Sequence, residues 1–535
     1  MKNFIKQILV IVILQLFITQ VKAQELVLQT NKQMYVAGEE ISFSCNLIMP
    51  GSYANSILFV DICGEGYLIS AQLLKPLYGN WQGQITLPDT LQTGVYLLRA
   101  YVGNPNGEPV ISAKPLCVFN RFMNNQTNNL QKEKTGYIPI DMRGYPKPVN
   151  SDGLEIKANK TVVNTNQKIE FTLNNHLKET QGTISLSVFK ANEQSTTIPE
   201  VQFTPFTASS LVRIYNYFVL AGKLTNAETG EVVPDETILL SIPDSIPNIN
   251  YAYTNDNGEF RFVLDNLYGE QDIIIQTLNK KIECNINLYP VLLLPPKRIP
   301  YYILDDVEQS EFVQLAIKRA TINQVFATAK ADSIKQRQKK IPFYGTTHNR
   351  VYPYQFVPLV DFAEIAWEIL PTVRYKNSKD STYLTIWNPN NKGFFNTPWV
   401  LVDGIPVYDL SQINPLNSEK ISWVDIQAET RCYGEILMKG LIDIQTKNGN
   451  YTDLELPVNS VRTTIETFYD PTLQPVQDEP VFNDVLYWNP HIGRKKGTIQ
   501  IDVQTSNEKG SYVAVAQTCD PKGKIYRSVI KFNVE

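Results

Sequence analysis

From residue 25 to about residue 120, apolar and polar side chains alternate with period two. Leu26 and Leu28, then Ile41, Phe43 and Cys45, then Ile57, Phe59 and Asp61 mark short strands, and Ala37-Gly38 and Met49-Pro50-Gly51 mark turns between them. Strands at this spacing predict a β-sandwich over 25–120. The opening then recurs. Asn31-Lys32 stands ten residues before Ile41 and twelve before Phe43; Asn159-Lys160 stands ten before Ile169 and twelve before Phe171. Equal offsets predict a second sandwich, over 150–215, that begins with the same strand, turn and strand. A third β unit is expected over 216–290.

The period changes after residue 305. Phe312, Leu315, Ile322, Phe326 and Ala329 recur at three-, four- and seven-residue steps, which predicts a connecting helix within 305–340, ended by Pro342. Its basic tail, Lys335 to Lys340, reads as a solvated end. The stretch 350–450 then mixes both periods. Asp361 to Leu370 is apolar at helical spacing and stops at Pro371. Pro398 to Asp409 contains a buried strand and a tight Asp403-Gly404 turn. Ile421 to Ile426 and Gly440 to Lys447 alternate as strands. The last stretch, 451–535, reads as another β domain with four alternating strands, around Asp484–Pro490, Gly497–Val503, Gly510–Ala516 and Tyr526–Val534. The fold class expected is mainly β: tandem sandwiches, one small α+β domain and one connecting helix.

The first 23 residues have a different pattern. Lys2 and Lys6 precede an apolar run from Ile8 to Ile18, and Val21-Lys22-Ala23 supplies a small-x-small exit. This is the arrangement of a cleaved secretory signal peptide. The run is shorter than the ~20 residues that span a bilayer, and no later segment has the apolar length for a transmembrane helix. Removing it leaves 46 basic against 53 acidic residues, so the net charge moves from −4 to −7. A nucleic-acid binder would be strongly basic, so that class is set aside. The six cysteines, Cys45, Cys63, Cys117, Cys284, Cys432 and Cys519, contain no C-x-x-C pair, which excludes the common zinc spacings. An exported chain is able to oxidise some of them; disulfides and buried free thiols both remain open.

Three sets of residues resemble known families. Leu28 to Phe43 and Leu87 to Tyr101 resemble the macroglobulin-type domain of bacterial surface and envelope proteins. Larger macroglobulins trap proteases through a Cys-Gly-Glu-Gln thioester; here Cys63-Gly64-Glu65 is followed by Gly66, so no glutamine acyl group is present and a strand-turn is expected instead. Ala221 to Gly230 and Thr254 to Phe262 resemble a carboxypeptidase-regulatory-like fold. Within it, Asn255-Asp256-Asn257-Gly258 lacks the spaced carboxylates of an EF-hand and reads as a hairpin turn using positive φ.

The third resemblance lies in 350–450. A helix closed by Pro371, the Leu401-Val-Asp-Gly-Ile-Pro-Val407 strand-turn, the Ile421-x-x-Val-Asp-Ile426 strand, the Tyr433-Gly434 turn and the Gly440-x-Ile-x-Ile-x-Thr-Lys447 strand are similar in order to the plug domain of TonB-dependent outer-membrane receptors. In those receptors the plug fills a barrel of about 22 strands. Only 85 residues follow Asn450, too few for a barrel whose strands take ~9–11 residues each. The resemblance therefore implies a plug-like domain without its barrel, in an exported protein of Gram-negative bacteria located in the periplasm or at the outer membrane.

Catalytic patterns are missing from the sequence: no G-x-S-x-G, H-E-x-x-H, P-loop or G-x-G-x-x-G occurs. The three histidines, His176, His348 and His491, are far apart. The expectation is a non-enzymatic binding or scaffold protein with no cofactor and no metal. It would dock through its plug-like and sandwich domains onto an outer-membrane protein or envelope complex, or alternatively serve as a surface adhesin or ligand-binding stalk. Trp399, Tyr408 and Trp423 are the candidate partner anchors, since aromatic residues are enriched in interface hot spots; each also fits a core position on a strand.

Overall fold

The computed structural model describes residues 25–32, 34–48, 56–75, 80–103, 109–122, 149–150, 153–177, 182–191, 218–244, 246–264, 267–279, 282–297, 299, 311–326, 341–345, 349–377, 382–469, 483–520 and 525–535. The expected signal peptide, the basic tail after the long helix and residues 192–217 lie outside them. The described chain is mainly β. It forms two compact units. One contains the described residues of Met1–Asn216, Leu292–Lys330 and Pro471–Glu535; the other those of Tyr217–Val291 and Ala331–Asp470.

The first unit holds two sandwiches of one topology. In the first, Glu25–Thr30, Glu40–Ile48 and Asn80–Thr86 form a three-stranded sheet in that order. It faces a five-stranded sheet ordered Met34–Val36, Val110–Phe119, Gly94–Val102, Leu58–Gly64 and Tyr67–Leu74. The inward positions are those the alternation marks: Ile41, Phe43, Cys45, Trp81 and Ile85 are all buried. In the second, Leu154–Ala158, Lys168–Asn175 and Gly497–Gln504 form the three-stranded sheet. The other is ordered Val162–Val163, Ile525–Val534, Gly510–Cys519, Thr183–Lys190 and Val485–Gly493, with Val149–Asn150 added beside Ile525–Val534. Strand for strand, the two orders match.

The register at the two openings is also the same. Thr30 pairs with Phe43, and the next amide, Asn31 N–H, donates to Ser42 O at 2.9 Å. Ala158 pairs with Phe171, and Asn159 N–H donates to Glu170 O at 3.0 Å. After each turn a short strand crosses to the other sheet and runs parallel to its last long strand. Here the structure departs from the expected boundaries. The second sandwich is not contained in 150–215, and 451–535 is not a separate domain. Strands one to four of the second sandwich come from 154–190 and strands five to eight from 485–534, with residues 191–484 between them. A period-two pattern says which side of a strand is buried but not which strand lies beside it.

The long helix, Glu311–Phe326, belongs to this unit and is packed rather than a free connector. Val313 and Ile317 rest on Cys117 and Phe119 of the first sandwich. Arg319 reaches Glu508 of the second at 2.7 Å and Asp484 at 3.4 Å. Lys32, almost wholly buried, holds Glu39 at 2.6 Å and Asp484 at 2.8 Å. The Cys63-Gly64-Glu65-Gly66 stretch is the end of a strand and a turn, with Gly66 at φ 77°.

The second unit begins with another sandwich. Glu259–Val263, Val219–Asn226 and Cys284–Leu288 form one sheet. Asn248–Tyr253, Thr237–Ile242, Glu270–Thr277 and Ser460–Glu466 form the other, so a strand from the expected C-terminal domain completes it. The Asn255–Gly258 turn is present, with Gly258 at φ 71° and Asn255 Oδ1 accepting from the amides of Asn257 and Glu259. It is not a hairpin: the strands it joins lie in different sheets. Among the described residues, no group of three or more His, Cys, Asp or Glu side chains could hold a metal. All six cysteines are free thiols.

Residues 349–451 build a five-stranded sheet ordered Asn349–Val351, Ile421–Tyr433, Ile436–Thr446, Trp399–Val402, Ile405–Pro406. A three-stranded sheet of Val373–Asn377, Thr382–Asn388 and Gly393–Phe395 accompanies it. The short helix Phe362–Ile369 buries Phe362, Ile365 and Ala366 against Val400, Val402, Val424, Ile426, Ile442 and Ile444. None of the described sheets closes into a barrel, and no described helix is long and apolar enough to cross a membrane.

Candidate interaction surface

The central sheet of the second unit has two unlike faces, because its strands alternate. One face carries the aliphatic set beneath the short helix. The other carries Trp399 and Leu401, then Trp423, Asp425 and Gln427, then Leu441, Asp443 and Gln445. This face packs on Leu239 and Ile249 of the unit's sandwich and on Tyr344. Asp425 and Asp443 are cross-strand partners and both are wholly buried.

Two carboxylates side by side in a core must be compensated. Arg350 donates from Nε and Nη2 to Asp425 Oδ1 and Oδ2, each at 2.7 Å. The Tyr344 hydroxyl lies 2.8 Å from Asp443 Oδ2 and 3.1 Å from Asp425 Oδ2. A phenol has one proton to donate, so it serves one acid; the other contact closes when Asp443 is protonated and donates to the phenol oxygen. The chain then runs Asp443 to Tyr344 to Asp425 to Arg350. Burial pushes the Asp443 carboxyl well above the ordinary carboxylate range. The neighbouring charge of Asp425 adds to that shift, and a Tyr344 hydroxyl would oppose it only if turned to donate to the ionised Asp443.

A pH dependence follows. The folded state holds the Asp443 proton at pH values where the unfolded chain has released it, so its contribution to stability falls as pH rises above the unfolded carboxyl value near 3.8. Asp443→Asn cannot ionise and keeps a donor for Tyr344. Its stability relative to the parent should therefore increase steadily from acidic to alkaline pH in urea titrations; a difference independent of pH would contradict the protonated state.

The three anchors inferred from sequence do not form one cluster. Trp423 is nearly buried under the Arg350 guanidinium, which sits 3.9 Å from its ring centroid. Trp399 is half-buried against the apolar cluster that contains Leu239 and Leu441. It pairs with Leu441 and Trp423 with Gln445 on the shared strand, four positions or roughly 13 Å apart. Tyr408 lines a shallow groove of about 380 Å³ beside Ile405, Leu454, Leu456 and Val458.

A more exposed apolar surface lies elsewhere in this unit. Asp361 caps the short helix by accepting from Glu364 N–H at 2.8 Å, and Glu364 reaches back to Val360 N–H at 2.7 Å. That fixes the helix phase. Phe362, Ile365, Ala366 and Ile369 turn inward, and Ala363, Glu364, Trp367 and Glu368 turn out. Trp367 is consequently 85% exposed. On the segment leading into the helix, Val357 and Val360 are 73% and 74% exposed, and Tyr354 and Phe356 about half. Five large apolar side chains within fourteen residues of sequence stand exposed, and exposed apolar groups of this size mark interaction sites where they lie together. This exposure was legible in principle, because Trp367 falls outside the 362/365/366/369 stripe.

No family model matches the chain, and no curated protein does. Among solved structures, Salmonella alpha-2-macroglobulin reacted with methylamine aligns with 96% of the chain at 9% identity and a TM-score of 0.23. Trypsin-activated alpha-2-macroglobulin from Escherichia coli aligns with 96% at 10% identity and the same score. The tetra-tandem repeat from the extending region of a large adhesion protein aligns at 9% identity and a TM-score of 0.14, covering 96% of this chain and all of that one. The chain spans about two fifths of the two macroglobulins, 39% and 41% of their lengths.

Proposed function

We propose that this chain is an exported, non-enzymatic binding protein of the bacterial envelope. It docks onto a protein partner at the outer membrane through the exposed apolar side chains of Tyr354, Phe356, Val357, Val360 and Trp367. The single observation that carries this reading is the exposure of Trp367: a tryptophan held rigidly outward by a capped helix costs solvation in the free chain and gains most when a partner covers it. The plug-like order of elements around it favours a barrel protein as that partner. The wholly buried state of Asp425 and Asp443 supports a structural role for the one carboxylate pair in this sheet.

A photoreactive side chain placed at Val357, followed by crosslinking in the native strain and mass spectrometry, tests the proposal. The expected product is a stoichiometric adduct with an outer-membrane barrel protein. Trp367→Ala should leave the unfolding free energy within ~0.5 kcal/mol of the parent while abolishing that adduct. An adduct that persists in Trp367→Ala, or its absence from the parent, would overturn the assignment. Protease cleavage of the chain on intact cells without any adduct would favour the surface-adhesin alternative.

A further inference from the structure

In the first unit a polar groove of about 590 Å³ opens where the two sandwiches meet. One wall is the outward face of the first three-stranded sheet. Ser42 and Gln84 are cross-strand partners there, and Glu40 and Gln82 flank them. The opposite wall is the Val485–Gly493 strand, with Tyr487, Trp488 and Asn489. Trp488 pairs with Ser187, whose hydroxyl donates to Asn31 O at 2.6 Å. That places the indole on the side of the strand nearest the first sandwich, half-exposed in the groove. At the floor, Lys32 is already neutralised by Glu39 and Asp484.

We infer that this groove binds an uncharged oligosaccharide. Its volume falls within the roughly 300–1,000 Å³ of small-ligand clefts. The lining is mainly amide, hydroxyl and charged groups around one indole, with Phe43, Val485 and Pro490 as its apolar minority, which disfavours a mainly apolar ligand. An anion would meet Glu39, Glu40 and Asp484 against a single lysine. A sugar ring matches what remains: its C–H face covers an indole, and each hydroxyl both donates and accepts, as the primary amides of Gln82 and Gln84 do. An added peptide strand fits less well. The Val485–Gly493 strand loses register near Pro490, and proline offers no N–H to a new neighbour.

The test is titration of the full chain with maltotriose, cellotriose, xylotriose, mannotriose and chitotriose, followed by tryptophan fluorescence and calorimetry. At least one sugar should saturate. Trp488→Ala should weaken it about tenfold or more, and Gln82→Ala, an exposed residue on the facing wall, about fivefold. Trp367→Ala, in the other unit, should leave the affinity unchanged. Where Trp488→Ala does not fold, Gln82→Ala decides. The inference is overturned by the absence of saturation by every sugar up to about 10 mM. It is equally overturned by sugar binding that neither groove substitution alters, or by groove-dependent binding of an extended basic peptide in place of any sugar.

Discussion

Asp61→Ala should cost the first unit about 3–5 kcal/mol, because it leaves a buried guanidinium without its counter-charge. Asp61 and Arg99 are cross-strand partners on the outer face of the five-stranded sheet of the first sandwich, and both side chains are wholly buried. Arg99 Nε and Nη2 each donate to the carboxylate at 2.7 Å. The rest of the guanidinium donates to Leu294 O at 2.8 Å and Leu293 O at 2.9 Å, and Tyr101 OH donates to Asp61 Oδ2 at 3.1 Å. The pair therefore also clamps the 292–296 segment onto the sheet. Removing the carboxylate strands the cation among those carbonyls. Replacing both residues together, Asp61→Leu with Arg99→Met, should cost far less than the single change, since no charge is left behind. Chemical unfolding followed at Trp81, which is buried in this sandwich, reads both. A loss below ~1 kcal/mol for Asp61→Ala would mean that the pair does not hold this face together.

Gly404→Val should destabilise the second unit by about 2–4 kcal/mol. Asp403 and Gly404 have φ of 51° and 78°, the consecutive left-handed pair of a type I′ turn. A Cβ on Gly404 would stand 3.2 Å from Pro247 Cα and 3.4 Å from its Cβ. The turn is also tied from within. Asp403 accepts from Thr446 N–H at 2.7 Å, Thr446 Oγ1 at 2.6 Å and Tyr451 N–H at 2.8 Å. A β-branched residue must either take up the left-handed strain or pull Asp403 away from three donors. Gly404→Asn, which tolerates positive φ, should lose least. Thermal unfolding of the full chain ranks the variants, and a valine variant that melts with the parent would refute the strain argument.

Local patterns carried much of this architecture. The period-two runs placed most strands, and the Asn-Lys offsets gave the equivalent registers Thr30–Phe43 and Ala158–Phe171. The Asp361 cap, Pro371 stop and Asp403-Gly404 turn rest on backbone chemistry within a few residues, so they could be read directly. The partner of a strand was not legible in the same way. Thr183–Lys190 is bonded on both sides by strands from 485–519, and nothing in its own eight residues indicates so distant a neighbour. One signal did exist. The first sandwich uses eight strands, whereas the described residues of 150–215 supply four to the second and those of 485–534 four more; Gly510-Ser511-Tyr512 even echoes Gly94-Val95-Tyr96 at the start of the seventh strand. The sequence pattern also did not separate the candidate anchors from Trp367. Trp399 and Trp423 sit on strands buried on both faces, whereas Trp367 sits on a helix with one free side.

The interruption of the second sandwich also sets an order of events. A chain emerging amino end first completes its first sandwich early, but its second waits, half built, until residues 485–534 appear. During that interval Thr183–Lys190 carries unpaired amides and carbonyls on both edges, the condition that invites wrong pairing. The intervening 217–470 module has all its described strands available before then. Assembly of this protein is therefore timed by its last strands, and until they arrive the Thr183–Lys190 strand is an open β edge.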